Sequence, residues 1–451
     1  MSLHQTKLPS MMVCRGCGTV VDQCEPYPFS CPRAGDGTDH VLRRVLDIEA
    51  LTFPPGWDTE PNPFVRYRSL LHAQHLAVAG GMRDEVFVDL VRDLDDAVAK
   101  VDGHGFVATP FKLRESLGDA VGLLGPLYVK DETDNVAGSH KGRHLFGLLV
   151  HLCVAERLGL VDAGARRPLA IASCGNAALA AAVVAAAGER ELLVFVPTDA
   201  DDAVVDRLKA LGAHVTVCER RAGTTGDPTY HRLQAAIAEG ALPFTCQGNE
   251  NGLAIEGGET LGYEMAAQLA STGEALDHVV VQVGGGALAS AVAAAFSEAV
   301  SLGIMERHPR FHTVQTESAW PLKRAFDRVM ALLDGQTGPD PIHRALRQAA
   351  HHRSEFMWPW ETAPHSIAHG ILDDETYDWL AVVEAMLVTG GRPVVVGEEQ
   401  LAAANALATE LTDVDVDATG SSGLAGVVAL REHGMIGPGE SVAVLFTGAR
   451  R

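Results

Sequence analysis

The sequence predicts an α/β protein built on mostly parallel sheets, with a small cysteine-rich knuckle at its N-terminus. Three observations lead there. From Pro126 onward, short runs of Val, Ile and Leu alternate with Ala-rich helical patterns, as parallel strands covered by helices on both faces require. The 46 glycines set against only 6% aromatic residues favour tight packing of helices on sheets. A chain of 451 residues, at roughly 150 per domain, holds two to three domains and can bury a large core without disulfides or metals.

Taken in order, the knuckle comes first, ending near residue 45. Cys14-Arg15-Gly16-Cys17 is a C-x2-C pair, followed by Cys24, Cys31 and His40. Cys14, Cys17 and Cys31, with Cys24 or His40 as fourth ligand, suit a tetrahedral structural zinc. The second C-x2-C is replaced by Cys31-Pro32-Arg33-Ala34, so free thiols stay open as the alternative, while the absence of a surrounding βαβ pattern disfavours a redox pair. Cys153, Cys174, Cys218 and Cys246 are scattered, unlike a secreted disulfide framework. Pro54, Pro55, Gly56, Pro61 and Pro63 mark a loop-rich stretch before a helical pattern over Asp84–Lys100.

Strands are then predicted at Leu127–Lys130, Leu169–Ala172, Leu192–Pro197, His214–Cys218, Val279–Val283, Thr313–Gln315, Val394–Val396 and Val442–Phe446. Helical patterns over His144–Leu158, Ala177–Ala187 and Ala287–Ser301 separate several of them. No fixed-period repeat interrupts this order. In such a fold, ligands sit at the carboxyl ends of strands.

Charge narrows the partners. Lys and Arg number 36 and Asp and Glu 58, a net of −22, which repels phosphate backbones and anionic membranes. No apolar run reaches the roughly 20 residues of a membrane span. Met1–Met12 lacks a basic region followed by an apolar stretch, so a cytoplasmic location is expected.

Four strand-to-loop junctions carry chemistry. Val129-Lys130-Asp131-Glu132 leads to Gly138-Ser139-His140-Lys141, where a helix begins. A lysine at a helix start meets the positive end of the dipole, which suits an amine needed as nucleophile; a solvated lysine is the plainer alternative. Ser173-Cys174-Gly175-Asn176-Ala177 follows a strand and opens a helix, so its amides can bind carboxylate or phosphate, unless Ser173 or Asn176 is merely a cap. Gly284-Gly285-Gly286-Ala287-Leu288 lets backbone approach an anion, and also fits the dinucleotide fingerprint, although Glu317 lies farther on than the roughly 20 residues usual for the ribose ligand. The last junction ends in Thr447.

Together these loops resemble the fold-type II pyridoxal-phosphate enzymes, the tryptophan-synthase-β-like group, on its threonine synthase and threonine dehydratase side. The resemblance runs from about Thr109 to the C-terminus and includes Thr109-Pro110-Phe111 and Glu256-Gly257-Gly258-Glu259-Thr260. It implies two three-layer α/β/α domains: residues 46–145 with 251–451 as the large cofactor-binding domain, and 146–250 as a small mobile one, with 1–45 a zinc-ribbon-like appendage. It implies pyridoxal 5'-phosphate held by Lys141, its phenolic oxygen near Asn176, and its phosphate on Gly284, Gly285, Gly286, Ala287 and Leu288. Thr447 would face the ring nitrogen, while Ser173, Cys174, Gly175, Asn176 and Ala177 would receive the carboxylate of a small amino-acid substrate. A homodimer is also implied.

A neutral Thr447 facing the ring nitrogen favours loss of a β-substituent over transamination, so the expected enzyme is a lyase of the threonine or serine ammonia-lyase type. Threonine synthase acting on O-phosphohomoserine, and a β-replacement synthase, are alternatives within the resemblance. A nicotinamide dehydrogenase and a non-catalytic cofactor-binding protein are alternatives outside it. The chain departs from the group's pattern at His140, Gly142-Arg143-His144, Cys174 and Ala287. Ala172 occupies the place of the tryptophan synthase catalytic Glu. Arg114 or Arg143 is a candidate for a second anion, and Thr419–Gly423 for a loop near the cofactor. Asp373-Asp374-Glu375 and the run Asp413, Asp415, Asp417 read as solvated acidic stretches, and His365 and His369, four apart, as surface or loop residues, with metal ligation on a helix face as the alternative.

Overall fold

The computed structural model describes residues 6–56, 58–220 and 226–450. Among the described residues, twelve strands run in order: β1 (Ser10–Cys14), β2 (Leu42–Leu46), β3 (Phe111–Leu113), β4 (Leu127–Asp131), β5 (Leu169–Ala172), β6 (Leu192–Pro197), β7 (His214–Cys218), β8 (Leu242–Pro243), β9 (His278–Gln282), β10 (Arg310–Thr316), β11 (Pro393–Val396) and β12 (Val442–Phe446). All eight predicted strands are present, within a few residues at their ends. Four escaped prediction. The strands β1 and β2 form a separate antiparallel ribbon, β3 has three residues and β8 only two, one of them Pro243, too little for a periodic signal.

A six-stranded sheet has the order β11-β10-β9-β12-β4-β3 and a four-stranded one the order β7-β6-β5-β8. Every neighbouring pair is parallel except β3 with β4. The consequence for sequence is clearest in β9. Val279 and Val281 enter the hydrophobic cluster on one face, and Val280 that on the other. A strand covered on both faces therefore has no polar alternation, and each such valine contributes about 1.5–3 kcal/mol as an upper bound. The small sheet packs with helices Lys141–Arg157 and Asn176–Ala187 in a third cluster, which also takes in Cys14, Cys31 and Leu42 of the ribbon.

Helix Lys141–Arg157 starts three residues before the apolar pattern, because its polar first turn is buried: Arg143 and His144 have no exposed surface. Helix Asp84–Asp102 stops at Gly103, whose φ of 95° lies in the left-handed region. Among the described residues no helix is long and apolar enough to cross a membrane. The carboxyl ends of β4, β5, β9 and β12 all deliver their loops to one cleft.

Candidate active site

The cleft has a volume of about 1320 Å³ and is lined by Lys141, by Ser173 through Ala177, by Gly284 through Leu288 and by Thr447. Every residue at the four junctions expected to touch cofactor or substrate is therefore brought to one place. His369 and Thr419 also reach it, whereas Arg114, Arg143, His365 and Glu317 do not line it.

Lys141 is placed by a sharp connection from β4. Asn135 accepts the Val136 N–H at 2.8 Å, Ala137 and Gly138 take left-handed φ of 58° and 69°, and Ser139 bridges to Gly448 beside the end of β12. The His140 ring lies 3.4 Å from the Thr447 carbonyl. No hydrogen bond or ion pair engages the Lys141 ammonium among the described residues. Burial, reinforced by the Lys141 charge, holds His140 well below its ordinary value and His144 at about 3. Both imidazoles are thus neutral beside the lysine.

Beneath this turn lies a closed ion network. Arg143 donates to Glu132 at 2.8 and 3.0 Å, to Glu264 at 2.7 and 3.1 Å, and to the hydroxyls of Thr260 and Thr109 at 3.1 Å. Lys130 donates to Glu264 as well. Burial opposes the charge on Glu264, but Arg143 and Lys130 outweigh it and its carboxyl sits below the ordinary range. Two cations meet two carboxylates, so Arg143 is consumed internally; its expected candidacy as an anion receptor is corrected by the buried Glu132 and Glu264.

On the opposite wall, β5 ends and helix Asn176–Ala187 begins with Gly175 as its cap residue and no side-chain cap bond. Neither Ser173 nor Asn176 caps it, which leaves the first amides of the helix available to an anion. The glycine loop repeats this arrangement. Helix Ala287–Ser301 starts from Gly286 at φ 99°, again with no side-chain cap, and only glycine adopts that backbone without strain. A Cβ at Gly284 would collide with the Asp373 carboxylate, and one at Gly285 would lie 2.8 Å from the Tyr377 ring. The segment responsible is held by Thr376 donating to the Gly284 carbonyl at 2.9 Å and Asp378 N–H to that of Gly285 at 3.1 Å.

Asp373 is therefore no part of a solvated stretch: it lines the cleft with its carboxylate against the Gly284 backbone and beside the Gly285 amide. Burial pushes its carboxyl up to about 6, with Lys141 and that amide pulling the other way. At the floor, Gln282 Nε2 donates to the Thr447 hydroxyl at 2.8 Å. With an oxygen lone pair so occupied, the Thr447 O–H is free to donate into the cleft. Gly448 leaves room for Asn176, whose Nδ2 would lie 2.9 Å from any Cβ placed there. Sequence reasoning missed Gln282 and Asp373; a glutamine closing an all-valine buried strand was the available signal for the first.

The ribbon brings Cys14, Cys17, Cys31 and His40 together, their ligand atoms all within 4.8 Å of one another. Cys24 is outside this group, so of the two residues considered for the fourth position it is His40 that the fold supplies.

An unpaired lysine amine, a glycine loop and an uncapped helix start for anions, and a free hydroxyl donor on a buried floor suit a phosphorylated pyridine aldehyde. The family model described as pyridoxal-phosphate dependent enzyme matches residues 105–448. Threonine synthase of Methanocaldococcus jannaschii is 24% identical over 360 residues, covering 79% of this chain and 77% of that protein. Threonine synthase of Methanosarcina acetivorans is 25% identical over 362 residues, covering 75% and 74%. The processed form of threonine deaminase isoform 2 from Solanum lycopersicum superposes with a TM-score of 0.56 at 19% identity, over 82% of this chain and 91% of that one, a likeness of fold alone. The match extends over most of the chain and takes in the four loops that carry Lys141, Ser173 through Ala177, Gly284 through Leu288 and Thr447: this protein belongs to the pyridoxal-phosphate-dependent enzyme family.

Proposed function

We propose that the chain is a lyase that removes the β-hydroxyl group of a small amino acid such as threonine or serine. The observation that carries this reading is the neutral Thr447 hydroxyl, oriented by Gln282 at 2.8 Å on the floor of the cleft that Lys141 enters.

Lys141 would hold the cofactor, the amides of Gly284 through Leu288 its phosphate, Asn176 its phenolic oxygen and Thr447 its ring nitrogen. When bound, pyridoxal phosphate withdraws electrons from the α-carbon of the amino acid it carries. A hydroxyl donates a hydrogen bond to the ring nitrogen without surrendering its proton, since its own acidity is far too low at neutral pH. Thr447 therefore leaves the ring a weaker electron sink than a carboxylate partner would, which favours prompt expulsion of the β-substituent over transamination. The Ser173 N–H is bonded to the Phe195 carbonyl at 3.2 Å, so the amides that would fix the substrate carboxylate at this uncapped helix start are those of Cys174 through Ala177. With substrate on the cofactor, the Lys141 amine would be the group placed to move the α-proton. His140 and His144, whose basicity burial lowers, are too weakly basic to compete for that proton.

The names of the two curated relatives favour a second reading, synthesis of threonine from a phosphorylated homoserine. Cleft charge supports the first more. Besides Lys141, its cationic walls are Arg220, Arg353 and Arg450, of which Arg353 is taken by Asp39 and Glu375 and Arg450 by Asp415. Asp199, Asp227, Asp373 and Asp417 add negative charge, which disfavours a substrate phosphate. Closure of residues 146–250 on substrate and a homodimeric working unit complete the proposal. Incubation with threonine, serine and O-phosphohomoserine tests it: 2-oxoacid with ammonia from the first two is expected, and phosphate release from the third alone would favour the second reading.

A further inference from the structure

We infer that Cys14, Cys17, Cys31 and His40 form a tetrahedral zinc site that holds one wall of the active-site cleft in place.

Geometry is the first support. A tetrahedron with Zn–S arms of about 2.3 Å has S–S edges of about 3.8 Å, and an S–N edge near 3.5 Å when the nitrogen arm is about 2.0 Å. Cys17 Sγ and Cys31 Sγ lie 3.7 Å apart, and Cys14 Sγ and His40 Nδ1 3.5 Å apart. The sulfurs are thus spaced for a shared ion and well beyond the roughly 2.05 Å of a disulfide.

The second support is the far side of the histidine. His40 Nε2 lies 2.7 Å from Asp36 Oδ1. That carboxylate keeps the proton on Nε2 and turns the Nδ1 lone pair toward the three sulfurs, the usual outer partner of a metal-bound imidazole.

Backbone supplies the third. Cys14 ends β1, and the chain turns back through Gly18, which has φ 71° and donates to the Cys14 carbonyl at 2.9 Å. Arg15 N–H bonds to Val41 across the ribbon at 2.9 Å. A Cβ on Gly16 would collide with the Asp39 carbonyl. C-x2-C and His40 are thereby pressed together by the two strands, with Cys31 closing from the intervening loop. Three thiolates and one imidazole form a closed, soft set, which selects zinc over oxygen-seeking cations and leaves no position for catalysis.

The loop that zinc would tie down matters because of where it lies. Between Cys31 and His40 the chain has no helix or strand, yet Ala34, Gly35, Thr38 and Asp39 line the cleft. Asp39 bonds Arg353 at 3.2 Å, and its N–H reaches the Ala350 carbonyl at 2.8 Å. The metal therefore fixes a wall that faces Lys141 and the glycine loop, whichever amino acid the enzyme uses.

Elemental analysis of the full-length protein, purified from zinc-supplemented cells, is the direct test. About one zinc per chain is expected, retained in Cys24→Ser and in His40→Cys, and lost in Cys17→Ser. Since loss of the metal can unfold the ribbon, affinity is also read in Asp36→Asn by competition with a chromogenic chelator; a weakening of about tenfold or more is expected. Cobalt(II) in place of zinc should give the intense visible bands of a tetrahedral thiolate site. Depletion should raise the KM for the amino acid more than it lowers kcat, with the cofactor absorbance retained. Wild-type protein that takes up neither zinc nor cobalt would overturn the site, and so would loss of metal in Cys24→Ser. Full depletion that leaves KM unchanged would overturn its link to the cleft.

Discussion

Arg143→Met isolates the part of the structure that positions the proposed catalytic lysine. The side chain is wholly buried and lies two residues after Lys141 in the first turn of the helix. Its guanidinium joins Glu132, just beyond β4, to Glu264 on helix Ala254–Thr272. Methionine fills much of the volume but leaves Lys130 as the single cation between two buried carboxylates. Removing one member of a buried ionic set costs about 3–5 kcal/mol, mostly through the uncompensated charge left behind. With a urea slope near 3 kcal/mol per M, the unfolding midpoint should fall by about 1 M or more. Adding Glu132→Gln removes the excess charge, so the double variant should regain a large part of the loss. Urea titrations followed by tryptophan fluorescence read both numbers. A loss below about 1 kcal/mol, accompanied by weakened binding of phosphate or pyridoxal phosphate, would refute the argument and restore Arg143 as an anion receptor.

Other substitutions probe the cleft and the remote carboxylates. Thr447→Ala leaves the ring nitrogen without its donor, while Gln282 keeps the Gly420 and Leu445 carbonyls; at about 1–3 kcal/mol, kcat for elimination should fall about 5- to 150-fold, whereas Thr447→Asp should divert turnover toward pyridoxamine phosphate, measured by chromatography. In Asp373→Asn the Gly285 amide no longer faces a carboxylate. Because burial pushes the Asp373 carboxyl up to about 6, cofactor affinity by absorbance titration should be about tenfold tighter than wild type at pH 8 and nearly equal at pH 5; equal affinity at both would sink the idea. Glu259 is raised by burial from 4.5 to about 8 despite Arg44. The native state then binds a proton the unfolded chain has released, so this group's stabilisation, complete below pH 4.5, is lost as pH rises through 8. Glu259→Gln should flatten the pH dependence of the urea midpoint over that window, and an unaltered slope would contradict it.

What could be read in the sequence follows from which forces act locally. Parallel strands such as β9 are buried on both faces, so their valines stand out without any knowledge of neighbours. The proposed anion loops are legible for a similar reason: Gly284 through Gly286 and Cys174 through Ala177 would bind through contiguous backbone, and backbone exposure needs small residues in a row. Asp373 was misread because its environment comes from the distant glycine loop, and an acidic triplet has no local mark of burial. Arg143 was ambiguous for the same cause, since Glu264 reaches it from far along the chain. Spacing alone left Cys24 and His40 equivalent, and the pairing of β1 with β2 decided between them by carrying His40 back to Cys14. The short β3 and β8 hold too few residues for any period to register.

The central claim is that Lys141 carries the cofactor in this cleft, and the absorption spectrum tests it most directly. Wild-type protein with pyridoxal phosphate should show a band near about 410 nm, perturbed by threonine or serine, and Lys141→Ala should lose or shift it while keeping the fold. A wild-type protein that stays colourless in excess cofactor, or a Lys141→Ala variant with an unchanged band, would contradict the account.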